Sequence, residues 1–149
     1  MVGLVVVSHS ERAARGIVEV ASEMGGNARI EAVGGDPDGG IGTSVNDIRE
    51  AIEEAVAGPG DSDDTGSGDD GGDGGVIMLV DLGSAVMNTE IAIEEAAVGA
   101  EADVGVDVEI ADAPVFEGAV SAAVEAAGPK ATVESVVNAA VEAREYRKL

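Results

Sequence analysis

Cysteine and tryptophan are absent from the chain, and histidine occurs once, at position 9. Without thiols there is no disulfide framework, no thiol catalysis and no thiolate metal ligation, and a lone imidazole excludes a multi-histidine metal centre. Carboxylates alone could still hold a hard cation, but neither a resident metal nor an organic cofactor is expected. Aromatic residues shrink to Phe116 and Tyr146, so a core has to be packed from Val, Ala, Ile, Leu and Met. Basic residues are scarce as well: six arginines, Lys130 and Lys148 stand against 30 acidic residues, for a formal net charge of -22. A phosphate backbone demands a positive stripe, so nucleic acid is excluded as a partner. The apolar run from Val2 to Val7 is too short for a membrane span or a secretory h-region, and no basic leader precedes it. The expectation is a cytoplasmic protein with no membrane partner.

What is present argues for order. Hydrophobic residues make up 45% of the chain and fall in periodic blocks, which disordered acidic chains lack. A length of 149 residues suits one domain, 1–149. A charge this large repels itself unless screened. It therefore reads as adaptation to a salt-rich interior, where the Debye length falls to about 3 Å at 1 M.

Val2-Gly3-Leu4-Val5-Val6-Val7 is apolar at five of six positions, four of them β-branched, and reads as a buried first strand ending at Ser8-His9-Ser10. Arg12 to Met24 carries Ala14, Ile17, Val18 and Ala21 at helical spacing, with Ser10 as the cap and Gly25-Gly26 as the stop. Ala28 to Val33 alternates apolar with charged residues, as a strand with one wet face does. The glycine-rich stretch from Gly34 to Ser44 then enters a helix marked by Val45, Ile48, Ile52 and Val56, with Ser44 and Asp47 in the positions of a capping box.

Residues 58–75 contain no apolar side chain and read as a disordered acidic insertion within the domain, whose removal should leave activity intact. Val76 to Val80 is the second unbroken apolar run. It ends in Asp81-Leu82-Gly83-Ser84-Ala85 ahead of a helix containing Met87, Ile91 and Ala92. Asp103 to Ile110 alternates strictly and gives a fourth, edge-like strand. Ala111 to Gly118 connects to a small helix around Val120 and Val124. The last helix shows Val133, Val136, Val137, Ala140 and Val141 as its stripe, with Arg144, Arg147 and Lys148 complementing its carboxyl end.

Strands alternating with helices call for a parallel sheet between helical layers. Strands one and three are apolar throughout and belong in the middle; strands two and four are amphipathic and belong outside. The expected fold is α/β, a three-layer sandwich with a mainly parallel central sheet of order 2-1-3-4. In that order the winding reverses between strands one and three, and the reversal opens a ligand crevice at their carboxyl ends. His9 and Asp81 leave the sheet on either side of it. A carboxylate holding one ring nitrogen fixes the tautomer and aim of an imidazole nucleophile, a role open to Asp81. Thr43 and Ser84 are hydroxyl donors at neighbouring helix amino ends, and the glycine loop around Gly42 brings backbone close to an anion. With no Walker lysine and no second base, transient phosphorylation of His9 fits this set best. Read more plainly, His9 is a hydrogen-bonded turn residue, Asp81 a helix cap and the glycine loop an acidic turn.

Taken together, VVVSHS, GGxxDGGIGTS and VDLGSAVMN, with APVFEG after strand four, resemble the phosphotransfer subunits of phosphoenolpyruvate-dependent dihydroxyacetone kinases. More distantly, they resemble the EIIA domains of mannose-type sugar phosphotransferase systems. The resemblance runs from Val2 to about Gly128. It implies that His9 is the phosphorylated residue, Asp81 its acidic support, and Gly42, Thr43 and Ser84 phosphate-side positions. It further implies a homodimer and a relay. An HPr-type phosphocarrier loads His9, and His9 passes the phosphate to ADP on a partner kinase subunit. Dihydroxyacetone, on a third subunit, receives it last. With the chain ending at Leu149, the donor is expected to be a separate protein. Two alternatives stand beside this: a mannose-type sugar EIIA component, and a regulatory module whose glycine loop grips a free nucleotide while His9 is inert.

Overall fold

The computed structural model describes residues 1–57, 74–99 and 106–149. Strands β1 (Val2–Ser8), β2 (Arg29–Gly34), β3 (Gly75–Val80) and β4 (Asp107–Ile110) form one sheet in the order β2-β1-β3-β4. Every pairing is parallel. Helices α1 (Glu11–Gly25), α2 (Val45–Ala57) and α3 (Gly83–Gly99) connect successive strands, and α4 (Val115–Ala126) and α5 (Val133–Glu142) follow the last one.

Alternation along the two central strands sends side chains into two separate cores. Leu4, Val6, Ile77 and Leu79 face α1, α4 and α5. Val5, Val7, Val76 and Met78 face α2 and α3. The result is three layers. The step from β1 to β2 runs one way along the sheet and puts its helix on one face; the steps from β2 to β3 and β3 to β4 run the other way and put theirs on the opposite face. Right-handed crossovers require that arrangement. The switch point lies between β1 and β3.

Where aromatics are missing, close approach of helices takes their place. The buried face of α4 is Gly118, Ala119, Ala122, Ala123 and Ala126. A Cβ placed on Gly25 of α1 would lie 2.6 Å from Cβ of Ala123, so only hydrogen fits there. Val124, by contrast, is half exposed, because it points away from this seam.

Several boundaries differ from the sequence reading. Helix α4 starts at Val115, directly after Pro114, so the connection is shorter than Ala111 to Gly118; Pro fits the start of a helix, where its missing N–H has no partner to lose. Gly75 opens β3 and packs against Val133, and so belongs to the core rather than to the acidic stretch. The remainder of that stretch up to residue 73 lies outside the described residues, as do residues 103–105 of the expected fourth strand. Arg144 and Lys148 reach past the end of α5 to Asp112 and Glu117, tying the chain's last residues to the start of α4. No described helix is long and apolar enough to cross a membrane.

Candidate functional site

The site forms where β1 and β3 end side by side. Their pairing runs through Val7 and Val80 and is extended by Asp81 N–H, which donates to the Val7 carbonyl at 3.0 Å. Asp81 is thus delivered next to the turn Ser8-His9-Ser10. The next helix begins at once, because Ser10 accepts from Ala13 N–H as an N-cap. His9 is held between a strand end and a capped helix.

Asp81 uses both carboxylate oxygens. Oδ1 lies 2.9 Å from His9 Nδ1. Oδ2 accepts from the His9 backbone N–H at 3.0 Å and from the Ser8 hydroxyl at 2.9 Å. Ser8, buried in β1, in turn accepts from Ser10 N–H at 3.1 Å. Partial desolvation pushes the Asp81 carboxyl upward, but the bonds from the His9 backbone, the His9 ring and Ser8 outweigh it and hold the group below its ordinary value. An ionised carboxylate only accepts, so the hydrogen between the two groups belongs to Nδ1. The lone pair is therefore on Nε2, which faces outward and meets Ser84 Oγ at 2.9 Å. His9 and Asp81 side chains keep 21% and 19% of their exposure, enough for a reacting group to arrive from solvent.

The glycine loop joins from the side of β2. Gly42 N–H donates to the His9 carbonyl at 2.8 Å, which ties the loop to the turn at His9 rather than leaving that N–H for an anion. Gly40, at φ 118, and Gly39, at φ 87, adopt backbone that side-chain-bearing residues rarely take. Thr43 follows, and its Oγ1 accepts from Asn88 Nδ2 at 2.7 Å. Ser44 accepts from Asp47 N–H at 3.3 Å, giving one half of the expected capping box on α2. Of the residues singled out in the sequence, His9, Asp81 and Ser84 form one continuous hydrogen-bonded chain, with Gly42 bonded to its backbone. Thr43 is linked through α3, since Asn88 lies one helical turn beyond Ser84. Ser8 and Asn88 escaped the sequence reading. The spacing of Ser84 and Asn88 puts both on one face of α3, but the partner of Asn88, Thr43, sits in a loop that no periodicity describes.

Exposed apolar side chains flank these groups. Ile41, Leu82 and Met87 are 74%, 58% and 68% exposed, and each is a chain neighbour of a residue in the bonded network.

Two chemistries are open to such a chain of groups. Nε2 can be the nucleophile, or it can take the proton of Ser84 as a general base. The family model EIIA-man, described as PTS system fructose IIA component, matches residues 3–60 and 69–137. The chain belongs to the EIIA-man family. Among EIIA-man relatives, the phosphoryl donor subunit DhaM of PEP-dependent dihydroxyacetone kinase from Escherichia coli strain K12 is 32% identical over 99% of this chain. The chain spans only 28% of that relative's length. The phosphoryl donor subunit DhaM of PEP-dependent dihydroxyacetone kinase 1 from Listeria innocua is 32% identical, over 83% of this chain and 80% of its own. A solved structure titled as unknown function protein EF1359 superposes with a TM-score of 0.70 at 26% identity, covering 94% of this chain and 92% of the other.

Proposed function

We propose that the chain is a phosphohistidine carrier, loaded at Nε2 of His9 by an HPr-type phosphocarrier and unloaded onto ADP held by a dihydroxyacetone kinase subunit. The observation that carries this reading is the relay Asp81–His9–Ser84, in which Nδ1 is protonated and Nε2 is left as an outward-facing lone pair. In the loading step the Nε2–P bond forms as the donor's N–P bond breaks. Asp81 keeps the Nδ1 hydrogen and stabilises the positive charge that develops on the ring. Ser84 and Thr43 hydroxyls, at the amino ends of α3 and α2, receive the phosphoryl oxygens. In the unloading step the N–P bond breaks and a terminal oxygen of ADP takes the group. The nucleotide so made then phosphorylates dihydroxyacetone on a third subunit.

The apolar rim of Ile41, Leu82 and Met87 supports docking of both partners over His9, since long-range steering fades in high salt. The reading includes a cytoplasmic homodimer of one domain with no metal or cofactor of its own, with residues 58–75 as a surface insertion. The break in the family match between residues 60 and 69 supports that last point.

The test is incubation with phosphoenolpyruvate, enzyme I and HPr, followed by intact mass and then by transfer to the two kinase subunits with dihydroxyacetone. One phosphate on the wild-type chain and none on His9→Ala is expected. Label persisting in His9→Ala defeats the reading. A second reading, a sugar EIIA component, is favoured by the family model's own description. It predicts transfer to a sugar-specific EIIB partner instead of to bound ADP.

A further inference from the structure

The bond between Asn88 and Thr43 has a direction, and the direction matters. A threonine hydroxyl has one hydrogen to give and lone pairs that accept. Asn88 Nδ2 is a donor, so at 2.7 Å it occupies a lone pair of Thr43 Oγ1, with a longer contact of 3.5 Å to the Thr43 carbonyl. The hydroxyl hydrogen must then point elsewhere. Among the described residues Thr43 Oγ1 donates to none. Asn88 stands one turn along α3 from Ser84, and Ser84 Oγ is already at His9 Nε2. Residues so spaced lie roughly 5–6 Å apart at Cβ. Ser84 thus offers one hydroxyl at Nε2, and Asn88, one turn further along α3, holds a second on Thr43.

Resting on the phosphohistidine reading, we propose that Asn88 is a positioning residue: it turns the Thr43 hydroxyl into an obligate donor to the phosphoryl group on His9 and couples the glycine loop to α3. It touches neither phosphate nor the imidazole. Its effect passes through Thr43 alone.

That gives a test with a sign. In Asn88→Ala the hydroxyl rotates freely, and transfer from HPr should lose about tenfold or more in kcat, the scale of a hydrogen bond to a charged group, with little change in KM. Asn88→Asp keeps the shape and keeps the loop tied to the helix, but it reverses the bond. The carboxylate accepts the Thr43 hydrogen and withdraws it from the phosphate, so kcat should fall at least as far as in Asn88→Ala. Thr43→Val should reproduce the loss, and neither change at position 88 should add to it in that background.

Phosphorylation by phosphoenolpyruvate, enzyme I and HPr supplies the rates, and far-UV circular dichroism confirms the fold of each variant. Wild-type kcat in Asn88→Asp would show that the tie itself is what counts, and would overturn the proposal. So would losses that multiply in the double variants, because they would mean that position 88 acts independently of Thr43 or that the added charge acts alone. A wild-type chain that takes no phosphate at His9 overturns the carrier reading as well, and that control tells the two failures apart.

Discussion

Asp81 grips His9 at two points, with Oδ1 2.9 Å from the ring Nδ1 and Oδ2 3.0 Å from the backbone nitrogen. One contact sets the tautomer and the other sets the turn from which the ring projects. Because β1 and β3 are adjacent and in parallel register through Val7 and Val80, no loop has to fold back to make this pair. The sheet makes it.

Asp81→Asn keeps the size of the side chain but supplies an amide that can donate to Nδ1. The ring hydrogen then moves to Nε2 and removes the nucleophile's lone pair. Phosphorylation of His9 should slow about 100-fold or more, as when a histidine's carboxylate partner is replaced in other enzymes. A time course of phosphate incorporation measures it, and an unchanged rate would show that Asp81 only fixes the turn at Ser8 and His9.

Acid should weaken the same pair. The Asp81 carboxyl is held below its ordinary value in the folded chain, so between its folded and unfolded values the unfolded chain binds more protons. Its contribution to stability is complete above the unfolded value and is lost as pH falls through the folded one. The difference in thermal midpoint between wild type and Asp81→Asn should hold steady at neutral pH and shrink below about pH 4. A difference independent of pH down to the acid limit contradicts it.

Two glycines of α1 should respond in opposite directions to the same change. Gly25 meets Ala123 with no room for a Cβ, and Gly25→Ala should cost about 1–3 kcal/mol through overpacking. Gly16 is exposed on the same helix with nothing nearby, and Gly16→Ala should stabilise by about 0.5–1 kcal/mol through helix propensity. Urea denaturation of both variants reads the two signs.

Strand order and the meeting of His9 with Asp81 were legible in the sequence for one shared reason. Burial on both faces writes an unbroken apolar run and burial on one face writes alternation, so Val2 to Val7 and Val76 to Val80 had to lie inside Ala28 to Val33 and Val108 to Ile110. The switch point then placed His9 beside Asp81. Helix α4 was harder, because its buried face is alanine and glycine, which carry little hydropathy contrast, while the more conspicuous Val124 lies half exposed. Ser8 was hidden inside an apolar strand, where a lone serine says nothing until its partner across the sheet is known. Asn88 was hidden behind Thr43, whose position depends on a glycine loop that no periodicity describes.

Charge load should make stability rise with salt. With a net charge of -22, adding potassium chloride toward molar concentration should raise the thermal midpoint as repulsion is screened. Glu31 marks one local case: desolvation, and then the nearby Glu54 carboxylate, raise its pKa against a smaller pull from Arg29. A raised acid favours the folded state as it protonates, so at neutral pH Glu31 in its charged form opposes folding. Glu31→Gln should raise the midpoint at low salt, and by less at high salt. An equal shift at both salt levels would show that burial alone, and not Glu54, raises Glu31, and a lowered midpoint would contradict the account.

Because His9 is the only histidine, its ring nitrogens can be observed directly by long-range proton–nitrogen correlation in a sample labelled with nitrogen-15 histidine and phosphorylated through HPr. Phosphorus bonded to Nε2, with the hydrogen retained on Nδ1 opposite Asp81, is the predicted result. Phosphorus on Nδ1, or a ring that stays unmodified under conditions that load HPr itself, would contradict the account.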